Sequence, residues 1–254
     1  MNNSNNRLEI LDFASTNGGR SARPCYIPEV LDIINSSIKS SFIYKANVLH
    51  EFLETYKSYL ISDNLNNLRG LENFESASYI HGTIQAFDSF YLKYSNKRLR
   101  WMEGEFAYHR IATRSYSFDG KSFHNVDELI DGDMLIISIP FSASGVSPNN
   151  IEELLSHCDL LNIPVLIDFA YISISKAIDI DLNHPCVKTI AFSLSKCYFG
   201  MERLRSGLRL TREFEDDPID FANEFNMFKC ILNKLSYRST FTCGNYIIFR
   251  FIFL

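Results

Sequence analysis

The sequence has no apolar run near the roughly 20 residues that a membrane-spanning helix needs. One apolar run, YIIFRFIFL from Tyr246 to Leu254, falls far short of that length. Its β-branched and aromatic content reads as a strand without partners, an aggregation liability if exposed. No membrane association is expected. Metal-binding cysteine patterns are missing too. The six cysteines (Cys25, Cys158, Cys186, Cys197, Cys230 and Cys243) form no CxxC and no Cys/His spacing suited to zinc. No metal site is expected, and a reduced, cytoplasmic compartment fits. Met1 to Leu8 is Asn-rich and lacks the apolar core of a signal peptide, so export is not expected. Neither sign of charge dominates: the formal net charge is -5, with Lys and Arg spread rather than clustered. That gives no electrostatic footprint for nucleic acid and leaves small-molecule chemistry as the class to examine.

What is present is enough apolar material, 46% of 254 residues, to bury a full core. Apolar residues recur at three and four from Pro28 to Ile38 and from Asn47 to Leu60, predicting two amphipathic helices with an extended stretch around Phe42 to Tyr44 between them. Ala77 to Ile80 predicts a short strand, Gly82 a turn, and Thr83 to Tyr94 a helix carrying Ile84, Phe87, Phe90 and Tyr91. Four short apolar runs predict buried strands: Leu99 to Met102, Met134 to Ile139, Val165 to Ile167, and Thr189 to Phe192. A helix from Ile151 to Leu161 separates two of them, its start marked by Ser147, Pro148 and Asn149. Asp216-Asp217-Pro218 opens a further helical pattern, Ile219 to Leu235. Strand, helix, strand at this spacing predicts an α/β fold with a mostly parallel central sheet flanked by helices.

Ligand sites in such sheets lie at the carboxyl ends of the strands. That rule points to Asp168, just after its strand, and to Ser193-Leu194-Ser195-Lys196 after the next. A lysine in a partly desolvated pocket loses its proton readily and can form an imine with an aldehyde. Alone, a lysine after a strand is more often a solvated surface group. In Asp168-Phe169-Ala170-Tyr171, the acid can pair with a protonated pyridine nitrogen and keep the ring an electron sink, while Tyr171 can donate to the ring's phenolate oxygen. The plain alternatives are a turn aspartate and a core tyrosine. His81-Gly82-Thr83 sits between a strand and a helix, where backbone N–H groups and the helix dipole favour a phosphate; a bare glycine turn is the alternative. Arg205, nine positions beyond Lys196, can return to the same phosphate as a charged fork, with Arg203 as its rival and a surface arginine as the alternative.

Taken in order, these motifs resemble the fold-type I pyridoxal-phosphate (PLP) dependent enzymes of the class I and II aminotransferase group. Gly82-Thr83-Ile84-Gln85-Ala86 looks like that family's phosphate-cup turn and helix. Asp168-Phe169-Ala170-Tyr171 looks like its D-x-A-Y, Ser193-Leu194-Ser195-Lys196 like its S-x-S-K, and Arg205-Ser206-Gly207 like its R-x-G. The resemblance implies that Lys196 holds PLP as a Schiff base and, once released by substrate, moves a proton between the α-carbon and the cofactor's aldehyde carbon. It further implies that Asp168 holds the pyridine nitrogen, that Tyr171 bonds the ring oxygen, and that Gly82, Thr83, Ser193 and Arg205 hold the phosphate. Phe106, in Glu103-Gly104-Glu105-Phe106-Ala107-Tyr108, occupies the place from which the family stacks an aromatic on the ring, with Tyr108 as the second candidate. Leu11-Asp12-Phe13 through Asn17 resembles the family's substrate-side segment, and Tyr44 a tyrosine that reaches the partner subunit's phosphate. An interface or core tyrosine is the alternative for Tyr44.

Two departures from the pattern are visible. Pro140-Phe141-Ser142-Ala143-Ser144-Gly145 stands where the family reads N-P-x-G, so Ser142 replaces an asparagine and offers the ring oxygen one donor where an amide offers two and an acceptor. The family also continues through a small C-terminal domain that supplies the arginine gripping the substrate carboxylate. The resemblance covers about Leu11 to Ser239, and Thr240 to Leu254 matches nothing in it. The expected organisation is an N-terminal segment over residues 1–45, a PLP-binding large domain over 46–215, and an interdomain helix with a truncated tail over 216–254, the small domain largely absent. The expected activity is ping-pong transamination between an amino acid and a 2-oxo acid in a homodimer. Decarboxylation, elimination or acyl condensation on the same cofactor is the first alternative. A catalytically impaired PLP-fold protein, whose mark is cofactor binding without turnover or neither, is the second.

Overall fold

The protein's structure, a computed structural model, describes residues 48–196 and 205–225 together with Pro28 and Met227. Helix α1 (Val48–Ile61) leads into strands β1 (Asn67–Arg69) and β2 (Ser76–Ile80), helix α2 (Thr83–Lys93) and strand β3 (Arg98–Met102). There follow α3 (Tyr108–Tyr116), β4 (Gly120–Phe123), β5 (Asp133–Ser138), α4 (Ile151–Leu160) and β6 (Val165–Phe169). Strands β7 (Asp179–Asp181), β8 (Val187–Ser193) and β9 (Gly207–Thr211) and helix α5 (Pro218–Glu224) complete the described elements. Seven strands form one sheet in the order β2-β9-β8-β6-β5-β3-β4, and β1 and β7 pair apart from it in parallel. Within the large sheet only β9 is reversed, running antiparallel to both neighbours. Pairings from β8 through β4 are parallel.

The central strands are buried on both faces because helices cover both, which is why β5 (DMLIIS) and β6 (VLIDF) are near-continuous apolar runs rather than alternating ones. Successive side chains still point to opposite faces. Leu135, Ile137, Val165, Ile167, Phe169, Ile190 and Phe192 face one core with Phe52 and Tyr56 of α1. Ile136, Leu166 and Ala191 face a second core with Ala86, Phe87 and Phe90 of α2.

The predicted helices and strands among the described residues form, with shifts at their ends. Strand β6 runs to Phe169, so Asp168 lies inside its strand and not after it. Asn150, rather than the preceding Ser-Pro-Asn, is the cap position of α4, and no side chain caps that helix. The helix predicted from Ile219 to Leu235 stops at Glu224, with Phe225 as its C-cap. The helix predicted from Pro28 to Ile38, the stretch around Phe42 to Tyr44, and the pattern from 228 to Leu235 lie outside the described residues, apart from Pro28 itself. Five elements have no sequence expectation behind them: α3, β4, β9 and the paired strands β1 and β7. Strand β9 carries a fully buried arginine between Leu208 and Leu210, which breaks the apolar run that marks a strand.

That arginine organises the reversed strand. Arg209 Nη1 lies 2.5 Å from Asp217 Oδ2, and Nη2 lies 3.1 Å from Asp217 Oδ1 and 2.5 Å from Asp220 Oδ1. Asp217 also caps α5, accepting from the Ile219 and Asp220 N–H groups at 3.0 and 2.9 Å. Ser78 of β2 donates to Asp220 at 2.7 Å. One guanidinium thus ties β2, β9 and α5 together. Burial pushes the Asp217 carboxyl up, but hydrogen bonds from Arg209 and Ser89 outweigh it and leave its pKa below the usual value.

Replacing Arg209 by Leu strands two aspartates beside a buried apolar side chain, and is expected to cost about 3–5 kcal/mol of stability in urea denaturation. Because the Asp217 pKa is depressed, its share of stability is present above the unfolded carboxylate pKa and is lost as pH falls through the folded one. Arg209→Leu should therefore also flatten the acid limb of the stability–pH curve.

Candidate functional site

The strands β2, β3, β5, β6 and β8 all end at one edge of the sheet, and β9 begins there. The register fixes neighbours across that edge. Ser138, Asp168 and Ala191 are aligned on β5, β6 and β8, and Ser193, Gly207 and Ile80 on β8, β9 and β2. Paired residues in a sheet point to the same face, so Ser138 and Asp168 share the α2 side with the small Ala191.

Backbones come together tightly at one end of this region. Gly82 caps α2 at φ 95°, and a Cβ placed on it would lie 2.6 Å from Arg205 Nη2. A Cβ on Gly207 would lie 2.4 Å from the Phe192 carbonyl oxygen and 3.5 Å from Gly82 Cα. Backbone atoms exclude a side chain at Gly207, the positive φ favours glycine at Gly82, and together they let the Arg205 guanidinium reach the first turn of α2. The Ser195 N–H donates to Ser193 Oγ at 3.1 Å, and the buried Ser195 hydroxyl has no partner among the described residues. Tyr79 Oη lies 3.1 Å from Ser206 Oγ and steadies the approach to Gly207. A helix N-terminus beside a guanidinium offers the kind of donors that anion sites use.

At the other end Asp168 is only 5% exposed and accepts from the Ala170 N–H at 3.0 Å. Burial, and then the negative charge of Glu105, push its carboxyl up to about 8; the Ala170 N–H, the Thr83 hydroxyl and the Lys196 charge pull the other way. Lys196 Nζ sits 5.4 Å from the centroid of the Tyr171 ring. Gly82, Thr83, Asp168, Tyr171, Ser193, Lys196 and Arg205, chosen from sequence, therefore meet at one edge. Thr83, expected at the phosphate, directs its hydroxyl toward Asp168. Ser142 donates to Ser138 Oγ at 3.2 Å, so its single proton is already engaged. Phe106 is 45% exposed, with its ring nearly parallel to that of Tyr108 at 6.1 Å. Tyr108 donates to Asp88 at 2.8 Å, which leaves Phe106 as the aromatic with an open face. Tyr44 and Arg203 lie outside the described residues.

Glu105 and Ser138 are site residues that the sequence reading missed. Glu105 accepts from the Ser138 N–H and hydroxyl at 2.8 and 2.7 Å. The signal was available, since Glu105 follows β3 at the same strand ends that singled out Asp168. Behind it His109 is fully buried, its Nδ1 2.8 Å from Tyr91 Oη, and burial lowers its pKa to about 4.

No family model and no curated protein matches the sequence. Solved structures do match. The histidinol-phosphate aminotransferase from Clostridium acetobutylicum superposes with a TM-score of 0.64 at 16% identity, over 90% of this chain and 69% of that one. The aromatic aminotransferase from Pyrococcus horikoshii gives 0.64 at 16% identity, over 92% and 68%. The tyrosine aminotransferase from Leishmania infantum gives 0.60 at 13%, over 89% and 62%. The chain thus spans about two thirds of the length of these structures. At such identities the likeness establishes the fold: a mostly parallel sheet flanked by helices, as in the large domain of PLP-dependent transferases.

Gly82→Ala is expected to fold, because the methyl meets the movable end of Arg205, at a cost of about 1–3 kcal/mol for a side chain in a backbone region that glycine alone adopts readily. Its affinity for inorganic phosphate should fall at least about tenfold in calorimetric titration, since a charge-assisted bond of about 1.5 kcal/mol or more is displaced.

Proposed function

We propose that this chain is a PLP-dependent aminotransferase that moves an amino group from an amino acid to a 2-oxo acid. The observation that carries the reading is the position of Asp168: a buried carboxyl at a strand end, within electrostatic reach of Lys196 and facing Thr83 in the first turn of α2. Three motifs far apart in sequence thereby surround one space.

The residues fit the cofactor. Gly82 and Gly207 leave a cradle that a Cβ would fill, and the buried Ser195 hydroxyl has a proton to give to a phosphate oxygen. Gly82, Ser193, Ser195 and Arg205 would hold the phosphate, Asp168 the ring nitrogen, Tyr171 the ring oxygen, and Phe106 one face of the ring. Ser142 has already given its proton to Ser138 and would meet the ring oxygen only by reorienting. When bound, PLP supplies an electron-poor ring that accepts the electron pair left at a substrate's α-carbon. Lys196 is the residue for covalent attachment, and its free amine would take the proton from the α-carbon. Asp168, almost fully buried, would offer the ring nitrogen a carboxylate and keep it protonated. A homodimer in the cytoplasm belongs to the same reading, with Tyr44 reaching the partner subunit's phosphate.

The test is borohydride reduction of the purified chain with PLP, followed by peptide mass mapping, and an assay of 2-oxo-acid-dependent loss of amino donor. A reduced adduct on Lys196 is expected, abolished in Lys196→Ala. An adduct elsewhere, or none, overturns the cofactor assignment. An adduct on Lys196 without 2-oxo-acid dependence overturns transamination alone.

A further inference from the structure

We propose that Glu105 is a second carboxylate of the ring-nitrogen site, a positioning residue paired with Asp168, and that the pair stores the proton a ring nitrogen takes on binding. The proposal rests on the cofactor reading above and adds a residue and a function to it.

The geometry begins with Ser138, which lies directly across from Asp168 in the β5–β6 register. Glu105 grips that residue twice, Oε2 accepting from the Ser138 N–H at 2.8 Å and Oε1 from the Ser138 hydroxyl at 2.7 Å. Oε1 also accepts from the Phe106 N–H at 2.9 Å. Ser142 donates to Ser138 Oγ, which frees the Ser138 proton for Glu105. All three groups around Glu105 are donors, and such a shell suits a carboxylate and leaves a carboxylic proton no acceptor. Glu105 is 9% exposed, and its Oε1 meets the Ser138 hydroxyl on the face of the sheet to which the paired Asp168 also points.

The buried acids elsewhere have cations. Asp133 is bound by Arg98 and Arg100, and Asp217 and Asp220 by Arg209. Among the described residues, neither Glu105 nor Asp168 has an ion-pair partner. His109 faces Glu105 but burial keeps its imidazole neutral. Lys196 acts on Asp168 from beyond salt-bridge distance, and Tyr91 feels the Asp168 charge from behind. Two neighbouring carboxyls without an ion-pair partner resist carrying two charges together, which favours one proton on the pair. The three donors assign the charge to Glu105 and the proton to Asp168.

A cationic N–H at this place would complete the site. When a pyridine nitrogen enters, the Asp168 O–H bond breaks and an N–H bond forms. Asp168 becomes a carboxylate and the ring nitrogen a cation, with no proton drawn from solvent and the net charge unchanged. Glu105 then holds a second negative charge near the pyridinium and favours its protonated form.

The experiment is a carboxyl-carbon NMR titration of the full chain without cofactor, labelled at Asp and Glu, beside affinity measurements. In the wild type the Asp168 and Glu105 resonances should share an inflection at one pH, as coupled groups do. Glu105→Gln should lower the Asp168 midpoint by about one unit, and Glu105→Asp should restore it. The wild type should bind PLP at least about tenfold more tightly than 1-deazapyridoxal phosphate, which has C–H for the ring nitrogen, and Glu105→Gln should narrow that ratio about tenfold, one pKa unit being worth one factor of ten. Independent titrations, or a ratio that Glu105→Gln leaves unchanged, overturn the proposal. The shared inflection is read on the wild type, so a variant that fails to fold does not remove the test. An adduct on Lys196 with independent titrations overturns the pair and leaves the cofactor reading standing. A shared inflection without PLP binding overturns the cofactor reading and the ring-nitrogen assignment together.

Discussion

Strand polarity is the constraint on which the site depends. Parallel strands buried on both faces need helical crossovers, and each crossover returns the chain to the same starting edge, so the carboxyl ends of β3, β5, β6 and β8 collect on the other. That single fact brings Glu105, Ser138, Asp168 and Lys196 together from segments far apart in sequence. The reversal of β9 is equally necessary. Arg205 precedes that strand, so it arrives at the site edge only because the strand runs away from it. In the parallel sense, a five-residue strand would carry Arg205 to the far edge, roughly 17 Å away at the rise of an extended chain. The two glycines at the junction then fix how close β9 and α2 can come.

The same physics explains what was legible in the sequence. Central strands show themselves as apolar runs because they are buried twice over, and α1, α2 and α4 because one face alternates at helical spacing. Asp168, Lys196 and Gly82 were legible as polar or flexible residues at the ends of such runs. Strand β9 was not, because Arg209 sits in the middle of it, and an arginine inside a five-residue strand reads as solvent-facing until Asp217 and Asp220 are seen around it. Helix α3 (YHRIATRSY) was hidden likewise: its inward face carries His109 and Thr113 beside Ala112, a weak apolar signal. Glu105 was passed over because a glutamate between a glycine and a phenylalanine resembles an exposed loop residue. Its burial comes from Ser138, which adjoins it only in the folded sheet.

The two buried acidic clusters on the α2 face show how charge divides between stability and chemistry. Around Arg209 the carboxylates are matched by a guanidinium, their hydrogen bonds are filled, and the cluster locks α5 onto the sheet. Around Asp168 there is no ion-pair partner among the described residues, Lys196 acting only from beyond salt-bridge distance, and burial raises the cost of a second negative charge. That arrangement does not favour the folded state, and a sheet edge built only for stability would carry leucine there. Under the proposed function that cost would be offset when a cationic group binds, turning the unfavourable burial into binding free energy and into selectivity for a group that can be positively charged. Ser142 belongs to the same arrangement. With its proton directed to Ser138, the serine standing where the resembling family has asparagine supports the hydroxyl that Glu105 holds, and under the proposed function control of a ring oxygen would fall to Tyr171. The substitution that looked like a weakened contact in the sequence is, in the fold, a hydrogen bond directed to Ser138, the residue paired with Asp168 across the sheet.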